Sequence, residues 1–241
     1  MYKEKTNKEL ILEILEECKG TKEEEEIRKR LAKLTDVKKD SAYRLPMKKM
    51  INSYAWANLN KPGKAALPVI GNHQHKVTGA CYAARETMAQ YTGCSVPTIS
   101  EGLKSLVSEG VITKEKGWPC KNYYLTDKAK WEKGTYFPFF RFQIEVGYWA
   151  RLEPCEKALY VVYAIKGSTK HPEICGDSEI YSIGQVKKGK IKQYRKWAGI
   201  TKPAYKKAKE GLINKSLLWM DDDGTYYIYW LQCINEKKQG K

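Results

Sequence analysis

The sequence predicts an α+β protein, mainly helical, in which one plan occurs twice in tandem behind an N-terminal helical segment. The plan is a helix, a tight turn, a second helix and a β-hairpin. Three observations predict it. Residues recur in register at long range, each copy carries a turn glycine followed by a helix-capping hydroxyl, and each copy closes on a hairpin signal. The expected boundaries are 1–42 for the N-terminal segment, 43–133 for the first copy and 134–241 for the second.

The repeat fixes the architecture. In "WANLNKPGKAALPVI", Trp56, Ala57, Leu59, Lys64 and Ala65 recur 93 residues later as Trp149, Ala150, Leu152, Lys157 and Ala158 of "WARLEPCEKALYVVY". Tyr91, Gly93, Ser95, Pro97, Leu106 and Val107 recur 106 residues later as Trp197, Gly199, Thr201, Pro203, Leu212 and Ile213. The two offsets differ by 13 residues, which places an insertion in the second copy. The turn-rich stretch "GSTKHPEICGDSE" is its expected location.

The elements then follow in chain order. Leu10, Ile11, Ile14 and Leu15 have helical spacing, and "KEEEEIRKRLAKL" has acids early and bases late, as a helix dipole favours. Two N-terminal helices are expected, docked on the body or on a second copy of the chain. "VKKDSAYRLP" reads as a strand leading into the first copy. "RETMAQYTG" is a short helix stopped by Gly93. Ser95 caps the next helix, with Pro97 in its first turn, where a missing N–H is harmless. Ile99, Leu103, Leu106 and Val107 give that helix one apolar face, and Gly110 ends it. "VITKEKGWPCKNYYLT" reads as strand, turn and strand with Gly117 and Pro119 at the tip.

The second copy repeats this plan. "ALYVVYAI" lies in a helix with a wide apolar face, "KIKQYRKWAG" is the short helix, and Thr201 and Pro203 begin the next. Tyr205, Ala208, Leu212 and Ile213 are expected to face inward. "LLWMDDDGTYYIYW" is a hairpin with Asp223-Gly224 as a type I′ turn.

Helix, turn, helix and hairpin describe a winged helix-turn-helix. Thr92, Gly93, Ser95, Thr98 and Ile99, followed by Leu103, Leu106, Val107, Gly110, Val111 and Ile112, closely resemble the bacterial and phage helix-turn-helix family. The second copy departs from that pattern at Ala204 and Lys209. A tandem pair of winged helices also resembles the iteron-binding plasmid replication initiators. That resemblance implies a first copy that contributes to dimerisation and a second copy that dominates major-groove contact.

Charge supports a polyanionic partner. Lysine and arginine number 44 against 28 aspartates and glutamates, a formal charge of +16. From Lys187 to Lys215 the cations are Lys187, Lys188, Lys190, Lys192, Arg195, Lys196, Lys202, Lys206, Lys207, Lys209 and Lys215, with Glu210 the one acid. From Ser95 to Gly110 there is Lys104 against Glu101 and Glu109. Double-stranded DNA is the expected partner, with Lys202 and Lys206 facing the groove and Lys207 and Lys209 behind them. Thr201 opens the helix N-terminus, where free N–H groups suit a phosphate. In the first copy the candidate contacts are Ser95, Thr98, Ser100 and Lys104, joined by Lys114, Lys116 and Lys121 around Trp118 on the hairpin. The acidic "MDDDGT" tip is not expected to touch phosphate.

Other chemistry is not expected. No Gly-rich phosphate loop followed by Lys-Ser/Thr is present, and no Ser-His-Asp arrangement is apparent. His73-Gln74-His75 with Tyr82 downstream faintly resembles the metal site of rolling-circle nucleases, but its central residue is polar. The seven cysteines contain no C-x-x-C pair and read as buried thiols. The expectation is a soluble, cytoplasmic, non-enzymatic protein with no cofactor, no metal and no membrane contact. The resemblance to plasmid initiators implies a role as a replication initiator or replisome organiser of a mobile element. A transcriptional regulator is the first alternative; a protein-interaction module and a metal-dependent nicking nuclease follow. A homodimer contact through the first copy or the N-terminal helices is also a candidate.

Overall fold

The computed structural model describes residues 15–16, 19–22, 24–25, 27–28, 42–45, 47–75, 77–117, 121–129, 137–145, 147–166, 181–186, 190–220, 222 and 225–231. The first copy runs β1 (Ala42–Leu45), α1 (Met47–Asn52), α2 (Ala55–Asn58), α3 (Lys61–Asn72), β2 (Ala80–Cys81), α4 (Arg85–Thr92), α5 (Val96–Ser108), β3 (Ile112–Glu115) and β4 (Asn122–Leu125). The second runs β5 (Phe137–Phe140), α6 (Arg141–Glu145), α7 (Tyr148–Arg151), α8 (Pro154–Lys166), β6 (Tyr181–Val186), α9 (Ile191–Ala198), α10 (Lys202–Asn214), β7 (Leu218–Met220) and β8 (Tyr226–Leu231). The order of strands and helices is the same in both. Of the N-terminal segment, Leu15 and Ile27 are buried on helical backbone, whereas Leu10, Ile11 and Ile14 lie outside the described residues.

Local chemistry explains each helix boundary. The Asn60 side chain accepts from the Gly63 N–H at 2.8 Å and starts α3. The Ser95 hydroxyl accepts from Thr98 N–H at 3.3 Å and starts α5; the Thr201 hydroxyl accepts from Ala204 N–H at 3.4 Å and starts α10. Gly93 and Gly199 end the preceding helices in the left-handed region, at φ 69° and 65°. At the start of α8 the Glu156 carboxylate accepts from the Glu153 N–H at 2.8 Å, one half of a capping box.

Each copy has a three-stranded antiparallel sheet, ordered β2-β4-β3 and β6-β8-β7. The outer strands β2 and β6 were not anticipated from the sequence, where "AC" is too short to show a period and "YSIGQV" adjoins the turn-rich insertion. That insertion, the first hairpin tip at Trp118 and Pro119, and Asp223-Gly224 of the second lie outside the described residues. Two expectations change. Ile213 is 37% exposed instead of inward, because only Tyr205, Ala208 and Leu212 of α10 turn to the core. Helix α8 is buried from Glu156 through Ala164, all round and not on one face, because it sits between the two copies.

The two copies meet through reciprocal contacts. The Trp56 indole N–H donates to the carbonyl of Ala158 at 3.2 Å, and the Trp149 indole N–H donates to the carbonyl of Ala65 at 2.9 Å. These are the residue pairs that the 93-residue offset equates. A Cβ built on Gly93 would stand 2.3 Å from the Ala150 oxygen, and one on Gly199 would stand 2.3 Å from the Ala57 oxygen. β1 and β5 pair antiparallel, Ala42 opposite Phe140 and Leu45 opposite Phe137. When residue i touches j′ and j touches i′, the two units are related by a two-fold rotation. The chain therefore folds as a pseudo-dimer of itself.

Two buried lysines mark this seam. Lys64 donates to the carbonyls of Ala57, at 3.1 Å, and Leu59, and stands 6.0 Å from the Trp56 ring. Lys157 donates to those of Ala150, at 3.3 Å, and Leu152, and stands 5.6 Å from Trp149. Each satisfies carbonyls at the C-terminal end of a short helix, α2 or α7. Burial pushes both ammonium groups down to about 8. The cores otherwise differ. The first copy packs Ile70, Met88 and Ile99, while the second places Tyr163, Tyr194 and Tyr205 at the corresponding positions. There the Tyr163 and Tyr205 hydroxyls hydrogen-bond each other, and burial raises both phenols.

Candidate nucleic-acid interface

The lysine run separates into cations with partners and cations without. Tyr205, Ala208 and Leu212 bury one side of α10, so Lys202, Lys206, Lys207 and Glu210 are left on the exposed side. Lys206 reaches Glu210 only at 3.9 Å, both side chains being more than half exposed. The side chains of Lys190, Lys192, Lys202 and Lys207 form no ion pair or hydrogen bond among the described residues. Arg195 is half-buried on α9, with its Nε enclosed and unpaired.

Three cations of the run have partners within the chain. Lys209 is half-buried, donates to the Tyr226 hydroxyl at 3.1 Å and stands 5.1 Å from that ring, so it braces α10 against β8. Lys196 stands 4.9 Å from the ring of Tyr54, across the seam. Lys215 pairs with buried Glu156 at 2.9 Å and fixes the end of α10 to α8. Lys187 and Lys188 lie outside the described residues. Tyr54 itself is left-handed at φ 59°, and its repeat equivalent is Gly147 at φ 77°. The Gln193 amide and the nearby Lys196 hold its phenol below the ordinary range.

In the first copy, Ser95, Pro97, Thr98, Glu101, Lys104 and Ser108 are exposed along α5. Ser95 and Thr98 hydrogen-bond through their hydroxyls at 2.7 Å. Ser100 is half-buried and donates to the Val96 carbonyl, and it accepts from Arg85 of α4 at 3.3 Å. Lys104 pairs with Glu101 at 2.7 Å. Lys114, Lys116 and Lys121 are exposed on or beside β3 and β4. Arg85 carries no signal in the sequence, because an arginine at the start of a helix gives no pattern; only its proximity to Ser100 brings it to this face.

The helix α5 is seated without slack. A Cβ on Gly102 would fall 2.7 Å from the Pro62 carbonyl carbon, and Asn60 donates to the Glu101 carbonyl at 3.2 Å. Glycine at a helix crossing allows this close backbone approach.

His73 and His75 serve local structure. His73 Nδ1 lies 2.9 Å from the Val69 carbonyl and its ring 5.0 Å from Tyr91; His75 Nδ1 accepts from Thr78 N–H at 3.3 Å. Among the described residues, no three His, Cys, Asp or Glu side chains gather as a metal site. No helix among them is long and apolar enough to cross a membrane.

No curated protein and no solved structure matches the chain. A family model described as a helix-turn-helix domain matches residues 57–112, from the end of α2 to the first residue of β3. Within the first copy, residues 57–112 are thus similar to a helix-turn-helix domain.

Proposed function

We propose that this chain binds double-stranded DNA without enzymatic activity, through two winged helices arranged about the internal two-fold. On this reading α5 and α10 are the two groove-entering helices, and α10 makes the stronger phosphate contact. The observation that carries it is the open lysine face of Lys202, Lys206 and Lys207 on α10, the helix that the repeat equates with α5 of the matched helix-turn-helix segment. Such a helix fits the major groove, and its lysines release condensed counterions on binding. The biological role we favour is replication initiation for a plasmid, phage or other mobile element. The support for that role is the tandem arrangement, which resembles plasmid initiators.

The test is duplex binding from a random pool across a salt series, with the wild type and a K202A/K206A/K207A variant. Each phosphate contact contributes about 0.9 to the slope of log affinity against log salt. Loss of three should flatten the slope by about 2.7. Binding of the variant with an unchanged slope would make the lysines a solvated face and end this reading.

A further inference from the structure

We propose that the two copies divide the work, with α5 reading base edges, Glu101 selecting cytosine, and α10 supplying affinity that ignores sequence. This rests on the duplex-binding reading above. It starts from a charge inversion. The 106-residue offset equates Glu101 with Lys207 and Lys104 with Glu210. The hairpins invert too: the first has exposed Lys114, Lys116 and Lys121, and the second has exposed Asp222 in its turn.

A helix lined with lysines meets phosphates as point charges, which hold it on the duplex but do not distinguish bases. That describes α10. A carboxylate at the same place is repelled by phosphate. Its favourable partner inside the major groove is an amino group, and Glu characteristically accepts from cytosine N4. Glu101 stands on the second turn of α5, one turn beyond Thr98, with its side chain 62% exposed. The first turns of the second helix are where this motif meets base edges.

The surroundings suit such a role. Lys104 is the cation paired with Glu101, and an exposed pair of this kind is held by about 1 kcal/mol or less, so the carboxylate is readily released. Positive charge instead flanks α5, with Arg85 beside Ser100 on one element and Lys114, Lys116 and Lys121 on another. Phosphate anchors around a near-neutral helix leave the helix centre to the bases. The tight seating of Gly102 on Pro62 and Gly63 fixes the helix backbone from which Glu101 projects, as base readout requires.

The test compares sites selected from a random duplex pool by the wild type, E101Q and the triple lysine variant. Gln pairs with adenine N6 and N7, so E101Q should exchange cytosine for adenine at one position of one half-site, with discrimination there changing about tenfold. The triple lysine variant should keep the wild-type preference and lose affinity evenly over all sequences. An unchanged E101Q preference, with normal salt-dependent binding, overturns this inference alone. E101K binding every duplex more tightly with the same preference also overturns it, since Glu101 would then be only a repelling surface charge. Absence of duplex binding by the wild type overturns the parent reading as well.

Discussion

Replacing Gly93 or Gly199 with alanine should unlock the two copies, at a cost that the structure sets. Each glycine is left-handed, at φ 69° and 65°, where an L-residue costs roughly 1–2 kcal/mol. A second cost comes from across the seam. The new Cβ would stand 2.3 Å from a backbone oxygen of the other copy, and 3.0 Å is the closest that such atoms approach. The facing backbone would have to retreat by about 0.7 Å, and it belongs to α2 or α7, held by buried Trp56 or Trp149. Overpacking a closed interior costs about 1–3 kcal/mol. The total is roughly 2–5 kcal/mol per substitution. Gly79 is the control, with φ 69° and nothing within 4 Å of its Cβ position, so G79A bears the conformational cost alone. Urea unfolding followed by tryptophan fluorescence would measure all three. G93A and G199A should resemble each other and exceed G79A by at least about 1 kcal/mol. Equal losses in all three would refute the reciprocal seam.

The buried lysines predict a pH dependence with a definite sign. Lys64 and Lys157 titrate near 8 in the folded chain and near 10.5 when unfolded, so between these values the unfolded chain binds more protons. The cost of burying each charge is full below pH 8 and relieved as pH rises to 10.5. Relative to a K64M/K157M variant, the wild type should gain about 3 kcal/mol per lysine across that window, measured as the difference between two urea-unfolding profiles. A flat difference would mean that both ammonium groups are solvated. Separately, E156Q should lower stability by about 1–3 kcal/mol in urea unfolding, because it weakens the pair between Lys215 and a carboxylate only 3% exposed. A loss under 0.5 kcal/mol, the usual size for surface changes, would place that pair in solvent.

Much of the architecture was legible because it rests on short-range chemistry. Ser95, Thr201, Gly93 and Gly199 announce caps and stops within a few residues, and the repeat offsets equate the two tryptophans that each donate to a carbonyl of the other copy. What the sequence withheld depends on distance in space. Nothing in a lysine run reveals that Lys209 leans on Tyr226 or that Lys215 meets Glu156, since the partners lie 17 and 59 residues away. The recurrence of Lys64 and Lys157 was visible, yet their burial was not, because lysine ordinarily marks surface. Ile213 misled for the opposite reason: its apolar character and repeat position suggested the core, while the helix turn carries it outside.

The antiparallel β1–β5 ribbon and the reciprocal tryptophans have a consequence for how such a protein can change. In an assembly of two identical chains, every substitution appears on both sides of the axis. A charge reversal on one helix is then unavoidable on its symmetry mate. Here both halves lie on one polypeptide, so each can mutate alone while the seam keeps them in place. Glu101 and Lys207, opposite in sign at equivalent positions, are a combination that no symmetric homodimer could encode.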